Sequence, residues 1–143
     1  MILLDAYALV AFLAEERAAD EVEEVLRRGG CAISVVNLAE AVDVCGRVHG
    51  LPLAQARHVI ELLASTDHLE LVTPSVAVVW RAAELRRRNY RARTSALSLA
   101  DCFLLATAEQ GDEIATSDGP VLSVARDEGF DVIALPDSDG NRP

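Results

Sequence analysis

No lysine occurs anywhere in this chain of 143 residues, so all 13 basic side chains are arginine. That excludes a receiver-type phosphorylation site, which needs a lysine beside its aspartate. Aromatic residues are scarce at 4%, and the core has to be built from Ala, Val, Leu and Ile, which suits buried parallel strands between helices. No segment approaches the ~18 uninterrupted apolar residues that a transmembrane helix requires. Asp5 breaks the first apolar stretch too early for a secretory leader, so a cytoplasmic protein is expected. The three cysteines, Cys31, Cys45 and Cys102, are odd in number, well separated and without C-x-x-C spacing. They read as reduced core thiols rather than a disulfide or zinc site. His49, His58 and His68 show no partner spacing and read as ordinary surface residues. Positive charge is also short: 13 basic against 23 acidic residues give a net charge of −10. Long-range attraction to nucleic acid or to anionic membrane is therefore disfavoured, and a phosphate substrate would need local help.

What the chain does have is apolar patterning. With 51% hydrophobic residues, its length is that of one domain burying ~68% of its unfolded surface. Short apolar runs at Ile2 to Leu4, Cys31 to Ser34, Leu69 to Val72, Glu113 to Thr116 and Asp131 to Leu135 read as strands. Helical patterns fill the gaps at Ala6 to Leu13, Ala18 to Arg28, Val35 to Val48, Leu53 to Ser65, Ser75 to Arg88, Leu99 to Glu109 and Pro120 to Glu128. The alternation predicts an α/β fold with a central parallel sheet flanked by helices. Residues 1–135 form one domain in this reading, and the polar segment 136–143 a flexible tail. There is no internal repeat.

Four acids stand where apolar segments meet helix starts or strand ends: Asp5, Glu40, Asp101 and Asp118. In a parallel α/β layer helices start at the edge where strands end, and ligands bind at that edge. Asp5 and Asp118 lie at the ends of the first and fourth strands, Glu40 and Asp101 in early turns of helices that begin there. Each has a local explanation. Asp5 can cap the next helix, Asp118 precedes the turn residues Gly119 and Pro120, and Ser98 to Asp101 resembles a capping box. Glu40 resists that treatment, since with Ser34 as cap it lies beyond the first turn among Leu38, Ala39, Ala41 and Val42. Gathered together without a counter-charge the four would repel strongly, and oxygen-only ligation suits Mg²⁺ or Mn²⁺. D-x-D phosphatases and glycine-rich dinucleotide folds fail on Asp5-Ala6-Tyr7 and on the residues that follow.

Ile2-Leu3-Leu4-Asp5 with Ala8-Leu9, Asn37-Leu38-Ala39-Glu40, Leu97-Ser98-Leu99-Ala100-Asp101 and Thr116-Ser117-Asp118 together resemble the PIN-domain nucleases. Within them the likeness is to the VapC-like ribonuclease toxins of type II toxin–antitoxin pairs. The resemblance spans nearly the whole chain. It implies a PIN-like nuclease domain over 1–135 that cleaves RNA with Mg²⁺ or Mn²⁺ held by Asp5, Glu40, Asp101 and Asp118, with Asn37 and Thr116 as supports. It also implies a cognate antitoxin on the early helices and a homodimer. Tyr7 is a departure, since the family often has Ser or Thr there. Asp118 or Glu40 is then a candidate to position the attacking water. Arg86-Arg87-Arg88 with Arg91 and Arg93 is the one cationic feature: either an RNA grip, with Arg87 and Arg91 foremost, or a solvated helix end. The competing reading is an inactive PIN-like module that uses the acids to receive a partner's arginine.

Overall fold

The structure, a computed structural model, describes residues 1–89 and 97–143; Arg91 and Arg93 lie outside the described residues. The elements run β1 (Ile2–Leu4), α1 (Ala6–Leu13), α2 (Ala19–Arg28), β2 (Cys31–Ser34), α3 (Val35–His49), α4 (Leu53–Ser65), β3 (Leu69–Val72), α5 (Val76–Asn89), α6 (Leu99–Thr107), β4 (Glu113–Thr116), α7 (Gly119–Asp127) and β5 (Asp131–Ala134). All five strands pair in parallel, in the order β3-β2-β1-β4-β5, as the alternating pattern predicts.

That order fixes where a ligand can enter. The chain builds outward from β1 through β2 to β3 and then returns to the other side of β1 with β4. Neighbouring strands β1 and β4 therefore lead their connections away in opposite directions, and a crevice opens beyond their carboxyl ends. The register sets Leu4 beside Ala115, which brings Asp5 level with Thr116, and the Asp5 N–H donates to the Ala115 carbonyl at 3.1 Å.

Strand alternation divides the core in two. Ile2, Leu4, Cys31, Ile33 and Ala115 pack with Ala8, Leu9, Val22 and Ile60 of α1, α2 and α4. Leu3, Ala32 and Ile114 face the other way, onto Ala82, Leu85, Leu104, Leu105 and Val121 of α5, α6 and α7. Cys31, Cys45 and Cys102 are buried and unlinked. Among the described residues no helix is long and apolar enough to cross a membrane.

Two boundaries show their physical causes. Gly50 closes α3 in the left-handed conformation at φ 67°, where a side chain would be strained. α6 stops at Thr107, two residues before the sequence pattern does: Ala108 turns extended at φ −64° and ψ 140°, and the Glu109 N–H is taken by the Asp112 carboxylate at 2.9 Å, while the Arg81 guanidinium of α5 donates to the Ala106 and Ala108 carbonyls at 3.5 and 3.0 Å. Beyond β5 the chain folds back: Arg142 donates to the Ala134 carbonyl and to Glu21 of α2, both at 2.6 Å, and Asp137 accepts the Asp139 and Asn141 N–H groups at 2.9 and 2.8 Å.

Candidate active site

Asp5 follows β1 and is the N-cap of α1. Its Oδ1 accepts the Ala8 N–H at 2.6 Å, and its Oδ2 accepts the hydroxyl of Thr116 at the end of β4. The same Thr116 oxygen accepts the Asp118 N–H at 3.0 Å, and the Asp118 carboxylate caps α7 by accepting the Val121 N–H at 2.9 Å. One hydroxyl therefore ties together two acids 113 positions apart in the chain. The side chains of Asp5 and Thr116 lie beneath the surface, whereas Asp118 is exposed.

Asp101 is held from the helical layer. Its Oδ2 accepts the Ser98 N–H at 2.6 Å while Ser98 Oγ accepts the Asp101 N–H at 3.0 Å, a complete capping box at the start of α6. Ser34 caps α3 through the Val36 N–H at 3.2 Å, which puts Glu40 beyond the first turn. Asn37, fully buried one turn before Glu40, donates to the Ala100 carbonyl at 3.1 Å and so fastens α3 beside Asp101. Its Oδ1 is buried without a partner.

An open cleft of about 610 Å³ collects Asp5, Glu40, Asp101 and Asp118 with Tyr7, Glu16, His49, Ser98, Ser117 and Ser138. Asn37 and Thr116 are buried and do not line it, and Arg87, exposed in the last turn of α5, is not among its described lining residues. The acids feel one another. Burial, opposed by the bonds from Thr116 and Ala8 and reinforced by Asp101 and Asp118, pushes the Asp5 carboxyl up to about 7. Asp101 is raised first by burial, with Asp118 adding and the Ser98 bonds and Arg86 opposing. Glu40 is raised by burial and by the charges of Asp101 and Asp43. Among the described residues, no three carboxylate, imidazole or thiol groups stand close enough to share one metal ion. Each aspartate commits at least one oxygen to a backbone N–H.

Two side chains in the cleft make contacts that a sequence reading does not supply. His49 is a surface residue, as expected, and its Nε2 also lies 3.1 Å from Glu16 Oε1. Nothing in the periodicity signals it, because the meeting depends on where the turn after α1 sets Glu16 against the last residue of α3. Tyr7, at the variant position, points its hydroxyl to the Pro136 carbonyl at 3.1 Å, and burial followed by Glu16 pushes its pKa up to about 12.

No curated protein sequence matches the chain. Among solved structures, it is similar to VapC20 of Mycobacterium tuberculosis, described as a Sarcin-Ricin loop cleaving toxin, with a TM-score of 0.71 and 16% identity over 100% of both chains. VapBC2 of Rickettsia felis, bound to a DNA fragment from its promoter, matches with a TM-score of 0.63 and 16% identity over 94% of this chain and 99% of that one. A toxin–antitoxin complex from Klebsiella pneumoniae matches with a TM-score of 0.60 and 21% identity, covering 82% and 87%. Such low identities speak for the fold alone. The sequence model of the PIN domain goes further, because it matches residues 2–135, from the first strand to just past the last, and on that match the chain belongs to the PIN domain family.

Proposed function

We propose that the chain is a metal-dependent endoribonuclease that hydrolyses RNA phosphodiester bonds as the toxin of a toxin–antitoxin pair. The observation that carries this reading is the convergence of Asp5, Glu40, Asp101 and Asp118 on one cleft where no arginine is among the described lining residues, with burial first and neighbouring carboxylates second raising Asp5, Glu40 and Asp101 above their ordinary range. Two carboxylates ~5 Å apart at an effective dielectric of ~20 repel by about 3 kcal/mol, so a cluster kept in an open cleft calls for a counter-charge. The donor set is wholly oxygen and fits Mg²⁺ or Mn²⁺, with these four acids as the groups that would hold it. When bound, the ion supplies Lewis acidity and an activated water for attack on phosphorus.

The chain's own residues do the positioning. Thr116 orients the Asp5 carboxylate, Asn37 braces the backbone just before Asp101, and the caps fix the directions of Asp101 and Asp118. Asp118 or Glu40 orients the attacking water, since these two are the more exposed of the four acids or the more weakly tied by backbone bonds. Arg87, with Arg91, is the proposed grip on RNA phosphates.

The partners are a cognate antitoxin and a second copy of the chain, in line with the toxin–antitoxin complexes among the structural relatives. A groove floored by Phe12, Leu13 and Val59 and rimmed by Glu15, Asp20 and Glu23 would take the antitoxin, with a basic residue reaching the acids. The competing reading, an inactive interaction module, draws on Tyr7, whose hydroxyl is engaged with Pro136 rather than turned to the acids.

Calorimetric titration of Mn²⁺ into the purified chain, freed of any partner, separates the two. Saturable binding that disappears in Asp101→Asn supports the nuclease, and no binding to either protein overturns it in favour of the module.

A further inference from the structure

We propose that the solvent face of α5 is the surface on which a second copy of this chain docks, with the two α5 helices antiparallel across a two-fold axis. This gives the second copy named above its place, and so rests on that part of the reading. The burial of the helix defines the face. Ala82 and Leu85 are buried in the core shared with α6, while Val76, Val79 and Trp80 are 73%, 43% and 72% exposed. At 3.6 residues per turn the exposed residues Val76, Trp80, Ala83 and Arg87 fall in one stripe about 60° wide, with Val79 beside it. Trp80 is the one tryptophan of the chain. A large aromatic flanked by valines on a helix face, with an arginine at its end, has the composition of an interface centre.

The spacing of the stripe selects a second copy as its occupant. Its intervals are four, three and four residues, which read the same in both directions. A two-fold axis over the midpoint pairs Trp80 with Ala83 of the second copy and Val76 with Arg87 of the second copy, each contact made twice, as an isologous interface demands. The indole then lies over the smallest side chain of the stripe. The Arg87 stem covers valine while its guanidinium stays at the rim, open to a phosphate. Charge agrees with this choice. Two chains of net charge −10 repel, so a self-contact needs a face that adds no like charge. α5 carries Glu84 against four arginines, of which Arg81 and Arg86 donate to carbonyls of Ala108 and Leu97, and Arg88 to Glu128. Glu84 and Arg87 are left beside the apolar stripe and balance. The groove at Phe12, Leu13 and Val59 is instead rimmed by Glu15, Glu16, Asp20 and Glu23, and self-docking there sets acid against acid. That groove belongs to the other face of the sheet, so antitoxin and second copy do not compete. The stripe exposes on the order of 400 Å² of apolar surface, as much as the largest patch on a typical monomer, and two copies bury about 1,000 Å² in all, where specific interfaces begin.

Because Trp80 is the sole tryptophan, its fluorescence reports on this face without a label. The whole chain, freed of any partner, is followed by sedimentation velocity and by tryptophan emission over a range of concentrations. The wild type is expected to pass from monomer to dimer, with emission moving to shorter wavelength over the same range. Ala83→Arg sets a guanidinium where the second indole lies, and Trp80→Ser removes the indole. Each is expected to weaken the dimer on the order of thirtyfold, as loss of a central contact implies. Both positions are exposed, so Mn²⁺ uptake is expected to match wild type, and Trp80→Ser carries the test if Ala83→Arg does not fold. Dimers of equal strength in wild type and variants overturn this face and leave the second copy to another. A wild type that stays monomeric overturns both the face and the second copy, while the nuclease reading stands on its own Mn²⁺ titration. Emission that moves only when single-stranded RNA is added, with the chain still monomeric, assigns the face to RNA and overturns the pairing.

Discussion

The Thr116 hydroxyl at the end of β4 donates to the buried Asp5 carboxylate at the end of β1, and so joins the two strands at the point where the sheet reverses its order. Because that oxygen also accepts the Asp118 N–H, the hydroxyl is used in both directions and its orientation is fixed. Replacement by valine keeps the shape and removes both bonds. The loss leaves a buried carboxylate oxygen without its donor, which costs about 1–3 kcal/mol. Thr116→Val is expected to unfold at lower urea concentration by that amount, and Thr116→Ser to recover most of it. An unchanged midpoint in the valine variant would show that the bond contributes nothing.

A pH dependence follows from Asp5. Its carboxyl is pushed up to about 7 from the ordinary 3.8, with burial as the largest cause. The folded state therefore holds a proton that the unfolded chain has already released between those values. This contribution to stability is fully present below about pH 3.8 and is lost as the pH rises through about 7. Asp5→Asn can still cap α1 and does not titrate, so its stability relative to wild type should grow by up to ~4 kcal/mol between pH 4 and pH 8 in the presence of EDTA. The check is urea unfolding of both proteins across that range; parallel profiles would refute it. The same variant is expected to cut no RNA.

Much of this arrangement is legible without coordinates, for particular reasons. Ile2-Leu3-Leu4 reads as a strand buried on both faces because every residue is apolar, and the structure divides it between the two cores. The acids at the ends of β1 and β4 and in α3 and α6 share one edge by topology alone, since parallel connections leave no other arrangement. The local reading of three of them as caps is also correct. Asp5, Asp101 and Asp118 do cap helices, and the capping bonds are what aim them, so the two readings describe one geometry. What sequence could not supply are contacts made by distant turns. The Arg81 guanidinium that meets the end of α6 comes from more than 20 positions earlier, and the Glu16–His49 pair depends on the turn after α1. Neither leaves a periodic trace.

Arg81 itself yields a prediction about stability alone. Its guanidinium donates to two carbonyls at the end of α6 and lies 6.0 Å from the centre of the Phe130 ring. Arg81→Met retains the apolar stem and removes the donors, which should destabilise by about 1–3 kcal/mol. Lysine should not rescue it, because a single ammonium cannot reproduce the fork. Thermal melting of the three proteins checks this, and a methionine variant as stable as wild type would count against it.

Asp101 has two tasks that its variants can separate. As the third residue of the α6 capping box it accepts the Ser98 N–H, which needs an acceptor but no charge; as a proposed metal ligand it needs the charge. Asp101→Asn should keep the cap, while Asp101→Ala should lose about 1 kcal/mol of stability. Burial raises the Asp101 carboxyl above its ordinary range, so the folded state binds its proton more tightly than the unfolded chain does. The charged form is thus a burden in the metal-free protein at neutral pH, and the asparagine variant should there be at least as stable as wild type. Both variants should fail to take up Mn²⁺. Asparagine as unstable as alanine would mean that the cap depends on the charge, and Mn²⁺ uptake by the asparagine variant at wild-type strength would remove Asp101 from the ligand set. Because the cap survives in one variant and fails in the other, loss of metal uptake in both would be assigned to the missing charge and not to a frayed helix.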